Sequence, residues 1–115
     1  MIGGWGSVSS QLTLVSRSLT TYLVIKTFKH KGLRELYVTG ASRKVAPDLH
    51  RRILRKLDAL AAAAAPADLN LPGFDFHSLN GFDPTRYTIH VNGPWCITFA
   101  FESGDAIDVD LEQYH

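Results

Sequence analysis

The sequence predicts a single α+β domain in which helices come first and an antiparallel meander follows. Three observations carry this reading. Leu49, Ile53, Leu57 and Leu60 recur at helical spacing. After Phe74 the apolar residues change to period 2, in Tyr87, Ile89 and Val91 and again in Trp95, Ile97, Phe99 and Phe101. Between these two runs stands Asn92-Gly93, a strong hairpin signal. The length of 115 residues leaves room for one hydrophobic core and no second.

Taken in order, residues 1–23 are rich in Ser, Thr and Gly and carry one charge, Arg17. A short strand is conceivable over residues 11–15, but the segment offers no chemistry. It is expected to be an extension outside the working domain, either a loose arm or sequence upstream of a true start at Val24. The domain proper is then 24–115. Residues 24–28 alternate weakly and predict a strand. Leu33, Leu36 and Tyr37 lie at helical spacing, and Gly40 suits the end of that helix. Pro47 opens a second helix, with Asp48 in its first turn, where a negative charge suits the helix dipole. Arg51, Arg52, Arg55 and Lys56 fall off its apolar stripe and predict a basic solvent side. Ala59 to Ala65 extends or frays this helix as far as Pro66. Asp68 to Gly73 is a turn-rich connector. Phe74, Phe76 and Leu79 predict a short strand, Glu102 to Asp105 a turn, and Ile107 with Val109 the start of a last strand.

Composition narrows the classes of function. The chain is 45% hydrophobic and 20% charged, which is ordinary for a globular protein and too apolar for a disordered one. One cysteine excludes an internal disulfide framework and a Cys-based zinc ribbon. No apolar run reaches 18 residues, and the N-terminus makes a poor signal peptide, so a cytoplasmic protein is expected. The net charge of +1 hides a division of charge. From Val24 to Lys56 ten Lys and Arg face two acids, a surplus of eight; from Leu57 onward one Arg faces nine acids, a deficit of eight. The basic half could attract a polyanion, or the two halves could neutralise each other in the fold.

The residues that could carry chemistry are five histidines and Cys96. No HExxH, CxxC, Walker loop, GxGxxG or GxSxG occurs. His30 and His50 stand among basic residues and read as solvated positions. His77 ends a strand, where a structural histidine would bond a backbone carbonyl. His90 is out of phase with Ile89 and Val91 and so points away from their core face. His115 is terminal but directly follows a strand. Acidic residues at metal-ligand spacing are missing, so neither a metal nor another cofactor is expected. Cys96, between Trp95 and Ile97, reads as a small packed hydrophobe; Trp95 and Phe99 read as core. His77, Arg86, Tyr114 and His115 have the residue types that metal-free RNA cleavage needs. Such a reaction needs a base for the ribose 2′-hydroxyl, an acid for the departing 5′-oxygen and a cation for the phosphate.

At this point a family resemblance enters. The string IKTFKHKGLRELY, then DLNLPG with FHSLNG, then YTIHVNGPWCITFAFESGDA and a final YH resemble the HigB toxins of bacterial toxin–antitoxin modules, relatives of the RelE fold. The resemblance covers residues 24–115 and leaves 1–23 unmatched. It implies a RelE-like domain, with two N-terminal helices packed on a twisted antiparallel sheet. It implies a ribosome-dependent mRNA endonuclease, or mRNA interferase, acting in the decoding site of the small subunit. It implies a HigA-like helix-turn-helix antitoxin as partner, with operator DNA bound only through the toxin–antitoxin complex, and no membrane. The family's block histidine falls on His77 and its terminal Tyr-His on Tyr114 and His115.

Three positions depart from the family pattern. Asn80 stands where a lysine is usual, Cys96 where an arginine often follows the tryptophan, and Gln113 where an acid precedes the final Tyr-His. Two lost cations weaken phosphate stabilisation, and Arg86 or His90 could compensate. With Asn80 and His90, the residues expected to bind substrate are Lys29, Lys31, Arg51 and Arg55, as backbone phosphate contacts that ignore sequence and weaken with salt. The alternative is a weak or inactive relative that binds its antitoxin and acts in operon autorepression. A generic RNA-binding domain rests on the charge division alone.

Overall fold

The computed structural model describes residues 25–113. Two helices, α1 (Lys31–Thr39) and α2 (His50–Ala62), precede four strands, β1 (His77–Leu79), β2 (Arg86–Asn92), β3 (Trp95–Glu102) and β4 (Asp105–Gln113). The strands form one antiparallel sheet in the order β1-β2-β3-β4. The predicted α+β class and meander are therefore present. The predicted strand over residues 24–28 is reduced to two parallel bridges beside β4, Ile25 with Ala106 and Phe28 with Val109. Val24, residues 1–23, Tyr114 and His115 lie outside the described residues.

α1 is short and held at both ends. His30 Nδ1 accepts from the Leu33 amide at 3.0 Å, which caps the first turn. Gly40 adopts φ 92° and returns its amide to the Leu36 carbonyl at 2.8 Å, as predicted for a glycine in the left-handed region. His30 is thus a cap, not a solvated residue. A 3-10 turn over Pro47–Leu49 leads into α2. His50 is also engaged, with Nε2 at 3.0 Å from the Ser42 carbonyl and 2.8 Å from that of Val45. α2 stops at Ala62, short of Pro66, which begins a second 3-10 turn, Pro66–Leu69.

The predicted stripe is the core side of α2. Ile53, Leu57 and Leu60 are fully buried and join Leu33 and Leu36 of α1 with Ile89, Ile97, Phe99 and Val109 of the sheet in one cluster. Burial of each such side chain contributes roughly 1.5–3 kcal/mol. Lys56 departs from the predicted basic solvent side. It is only 8% exposed, with Nζ 3.3 Å from the Gly73 carbonyl and 3.8 Å from the Phe74 ring centroid. Burial, and then the neighbouring Arg55 and Arg52 guanidiniums, push its amine below the usual 10.5.

One turn and one bulge refine the strand reading. The register pairs Asn92 with Trp95, so Gly93-Pro94 makes the turn, one residue beyond the predicted Asn-Gly centre. In β4 the pairing shifts between Thr98 and Ala100, where Asp108 takes φ 50°. The bulge buries Ala106 with Val109 and leaves Ile107 half-buried, where strict alternation would place Ile107 inside.

Candidate functional site

Strand pleating sends Ile89, Ile97 and Phe99 into the helix-facing core and their neighbours to the other face. There the register sets out two rows. His77 pairs with Thr88, Thr88 with Thr98, and Thr98 with Asp110. His90 pairs with Cys96, and Cys96 with Glu112. One end of these rows is the floor of an open cleft of about 780 Å³, lined by Asp75, His77, Leu79, Thr88, His90, Gly93, Pro94 and Cys96. Among the described residues, the only Cys, His, Asp or Glu side chains in it are Asp75, both imidazoles and the Cys96 thiol, and no Lys or Arg lines it. Cys96 is buried as a small hydrophobe would be.

Both imidazoles are tied to backbone carbonyls. His77 Nδ1 lies 3.1 Å from the Asp75 carbonyl, and His90 Nε2 lies 3.0 Å from that of Gly93. A carbonyl oxygen only accepts, so each of these ring nitrogens carries the proton. In the neutral rings the lone pair then falls on His77 Nε2 and on His90 Nδ1. The carbonyls are placed by tight turns: Asp75 has φ 48° and Gly93 φ 57°. The Asp75 turn is further pinned where the His90 amide donates to the Phe74 carbonyl at 2.7 Å. Thr88, 2% exposed, sits on β2 opposite His77 and two residues before His90. Its hydroxyl is the one buried side-chain polar atom among the described residues without a hydrogen-bond partner.

Arg86 is on the same face but elsewhere. Its Nη2 donates to Thr98 Oγ1 at 3.0 Å and to the Asp108 carbonyl at 2.8 Å, and Thr98 passes a short hydrogen bond on to Glu112. Arg86 lines an adjacent cleft with Lys29, Asp108 and Glu112 instead of the histidine cleft. A third cleft, of about 350 Å³, is lined by Arg51, Arg52, Arg55 and Lys56 of α2 and meets the first at His90. Lys31 is exposed at the start of α1, and Asn80 is exposed in the turn after β1. The fold thus brings His77 and His90 together, sets Arg51 and Arg55 next to His90, and leaves Arg86 and Lys29 one cleft away. Tyr114 and His115 follow β4, whose last residue, Gln113, pairs with Trp95.

The sequence reading missed the Arg86–Thr98–Glu112 chain and the buried Thr88 hydroxyl. The available signal was phase, since Thr88 and Thr98 alternate with the core residues as His90 and Cys96 do. Among the described residues, no three His, Cys, Asp or Glu side chains are grouped as a metal ion would need, and no helix is long and apolar enough to cross a membrane.

Residues 26–115 match the family described as the RelE-like toxin HigB of type II toxin–antitoxin systems. The chain is 37% identical over 92 residues to a Proteus vulgaris protein named Endoribonuclease HigB, a match that spans 80% of this chain and all of that protein. It is 30% identical over 89 residues to Toxin HigB-1 of Vibrio cholerae, covering 76% of this chain and 94% of that protein.

Proposed function

Because this chain belongs to the HigB family of RelE-like toxins of type II toxin–antitoxin systems, we propose that it is an endoribonuclease that cuts mRNA on the ribosome and so arrests translation. The observation that carries this reading is its 37% identity along the whole of a protein named Endoribonuclease HigB. The cleft is consistent with it, because two oriented imidazoles suit proton transfer at a phosphodiester near neutral pH.

In this reading the ribose 2′-hydroxyl attacks the adjacent phosphorus without a metal. His77 faces the scissile phosphate in the cleft. Tyr114 and His115, directly after β4, are catalytic residues that contact the phosphate as its charge develops. Arg86 acts through its tie to Thr98 and Glu112, which steadies the end of β4. Lys29, Lys31, Arg51 and Arg55 hold RNA phosphates, and Asn80 lies at the rim of the substrate path. The partner is a HigA-like helix-turn-helix antitoxin, and operator DNA is bound only through the complex of the two. The setting is the cytoplasm, where the ribosome small subunit and mRNA are met.

One observation favours a second reading. Among the described residues the histidine cleft has no Lys or Arg in its lining, so a weakly active relative that mainly binds antitoxin would look the same. Mapping mRNA 5′ ends after brief expression of the full chain without antitoxin separates the two. New ends within translated codons, absent when His115 is deleted, support the nuclease. Folded protein that binds antitoxin yet makes no new ends supports the binding module.

A further inference from the structure

We propose that His90 is a catalytic residue, the second imidazole of an acid–base pair with His77. The inference rests on the nuclease reading above. His77 pairs with Thr88 across the strands, which makes His90, two residues farther along β2, its diagonal neighbour. Diagonal neighbours on one face stand about 7–8 Å apart at the backbone, within reach of long side chains converging on one group. Both rings line the same cleft.

Each ring also has one nitrogen committed and one open. His77 Nδ1 and His90 Nε2 are held by the Asp75 and Gly93 carbonyls. No hydrogen bond within the described residues claims His77 Nε2 or His90 Nδ1. Fixing one nitrogen orients the other, which is what a proton-transfer group requires. Thr88, opposite His77 and two residues before His90, lines the same cleft; its hydroxyl is buried and without a partner among the described residues.

The step balances without a co-reactant. One imidazole takes the proton of the 2′-hydroxyl as the O2′–P bond forms. The other, as imidazolium, gives its proton to O5′ as the P–O5′ bond breaks. The products are a 2′,3′-cyclic phosphate and a 5′-hydroxyl, and the two rings end with their protonation exchanged. Asp75 lies beside His77, and Arg86 is its other diagonal neighbour. Cys96, next to Glu112, is paired with His90. Across the adjoining cleft His90 faces Arg51, Arg52, Arg55 and Lys56, with Asp48 at the mouth.

Two measurements test the pair. In the ¹⁵N-labelled full chain, ring-nitrogen shifts are expected to give Nδ1–H for His77 and Nε2–H for His90 in the neutral forms; the opposite tautomer at either ring overturns the proposal. The second is single-turnover cleavage of mRNA on programmed ribosomes, followed against pH. Wild type is expected to show two limbs, of which His77→Ala removes one and His90→Ala the other, with rates at the optimum falling about a hundredfold or more. His90→Gln, which keeps a hydrogen-bonding side chain but moves no proton, is expected to stay as slow as His90→Ala. Retention of both limbs by His90→Ala, or full rescue by His90→Gln, overturns the proposal. No cleavage by wild type overturns the nuclease reading itself and this inference with it, whereas active wild type with indifferent His90 variants overturns the inference alone.

Discussion

Two threonines that face each other across β2 and β3 have opposite hydrogen-bonding fates. Thr88 is buried with its hydroxyl unpaired, while fully buried Thr98 accepts from Arg86 and donates to Glu112. Thr98→Val is expected to cost about 1–3 kcal/mol, because it removes one of the two acceptors of Arg86 and the hydroxyl donor to Glu112. Thr88→Val, a similar change in shape one strand away, is expected to be neutral or to stabilise by up to about 1 kcal/mol. Urea unfolding of the two variants checks the contrast, and equal losses would contradict it. Lys56 gives a pH dependence. Its amine is held below 10.5 in the folded chain by burial, then by Arg55 and Arg52, so between the folded and unfolded values the unfolded chain binds more protons. Stability should therefore rise with pH across that alkaline window, and the buried charge costs stability below it. Lys56→Met should abolish this rise, as read from unfolding midpoints followed on the alkaline side as pH approaches the usual lysine range. The pairing of His77 with His90 was half-legible in the sequence. Phase alone put His90 off the core face, but only the β1–β2 register makes it a neighbour of His77. Arg86 was legible as a cation near the site and not as the anchor of Thr98, since its partners come from two other strands.

At the level of elements, periodicity was sufficient wherever one face is buried throughout. The α2 stripe and the β2 and β3 alternation follow directly from it. It failed at β4, where the bulge at Asp108 shifts the phase, and over residues 24–28, where pairing is made by backbone groups that leave no pattern in side chains. Lys56 was misassigned for a different reason. Its amine sits over the Phe74 ring and also reaches the Gly73 carbonyl, so an off-stripe lysine need not be solvated. α1 has only 9 residues, too few to persist alone in water, so its caps matter. His30→Ala is expected to cost about 1 kcal/mol by releasing the Leu33 amide, with His30→Asn retaining most of that stability. Denaturant midpoints at constant slope would establish it, and a neutral His30→Ala would show the cap to be dispensable.

Across the whole molecule, part of the charge division of the sequence becomes a division between α2 and β4. Arg51, Arg52 and Arg55 are exposed on α2, while Asp105, Asp108, Asp110 and Glu112 lie on β4. If α2 tracks RNA phosphates, each of Arg51→Ala and Arg55→Ala should reduce the salt dependence of ribosome binding by about one phosphate's worth of slope. An unchanged slope would remove α2 from the path. The bridges between residues 25–28 and β4 have a consequence for how the domain assembles. Thr27 and Asp108, joined through the Asp108 amide at 2.7 Å, are 81 positions apart. The helices and hairpins need only local encounters, whereas this seam closes a loop almost as long as the domain, whose entropy is lost before any contact rewards it. It is therefore expected to form last and to be absent from the folding transition state. Weakening it by Thr27→Val should speed unfolding and leave the folding rate unchanged. The nascent chain cannot close this seam until Asp108 has been synthesised, 81 positions after Thr27.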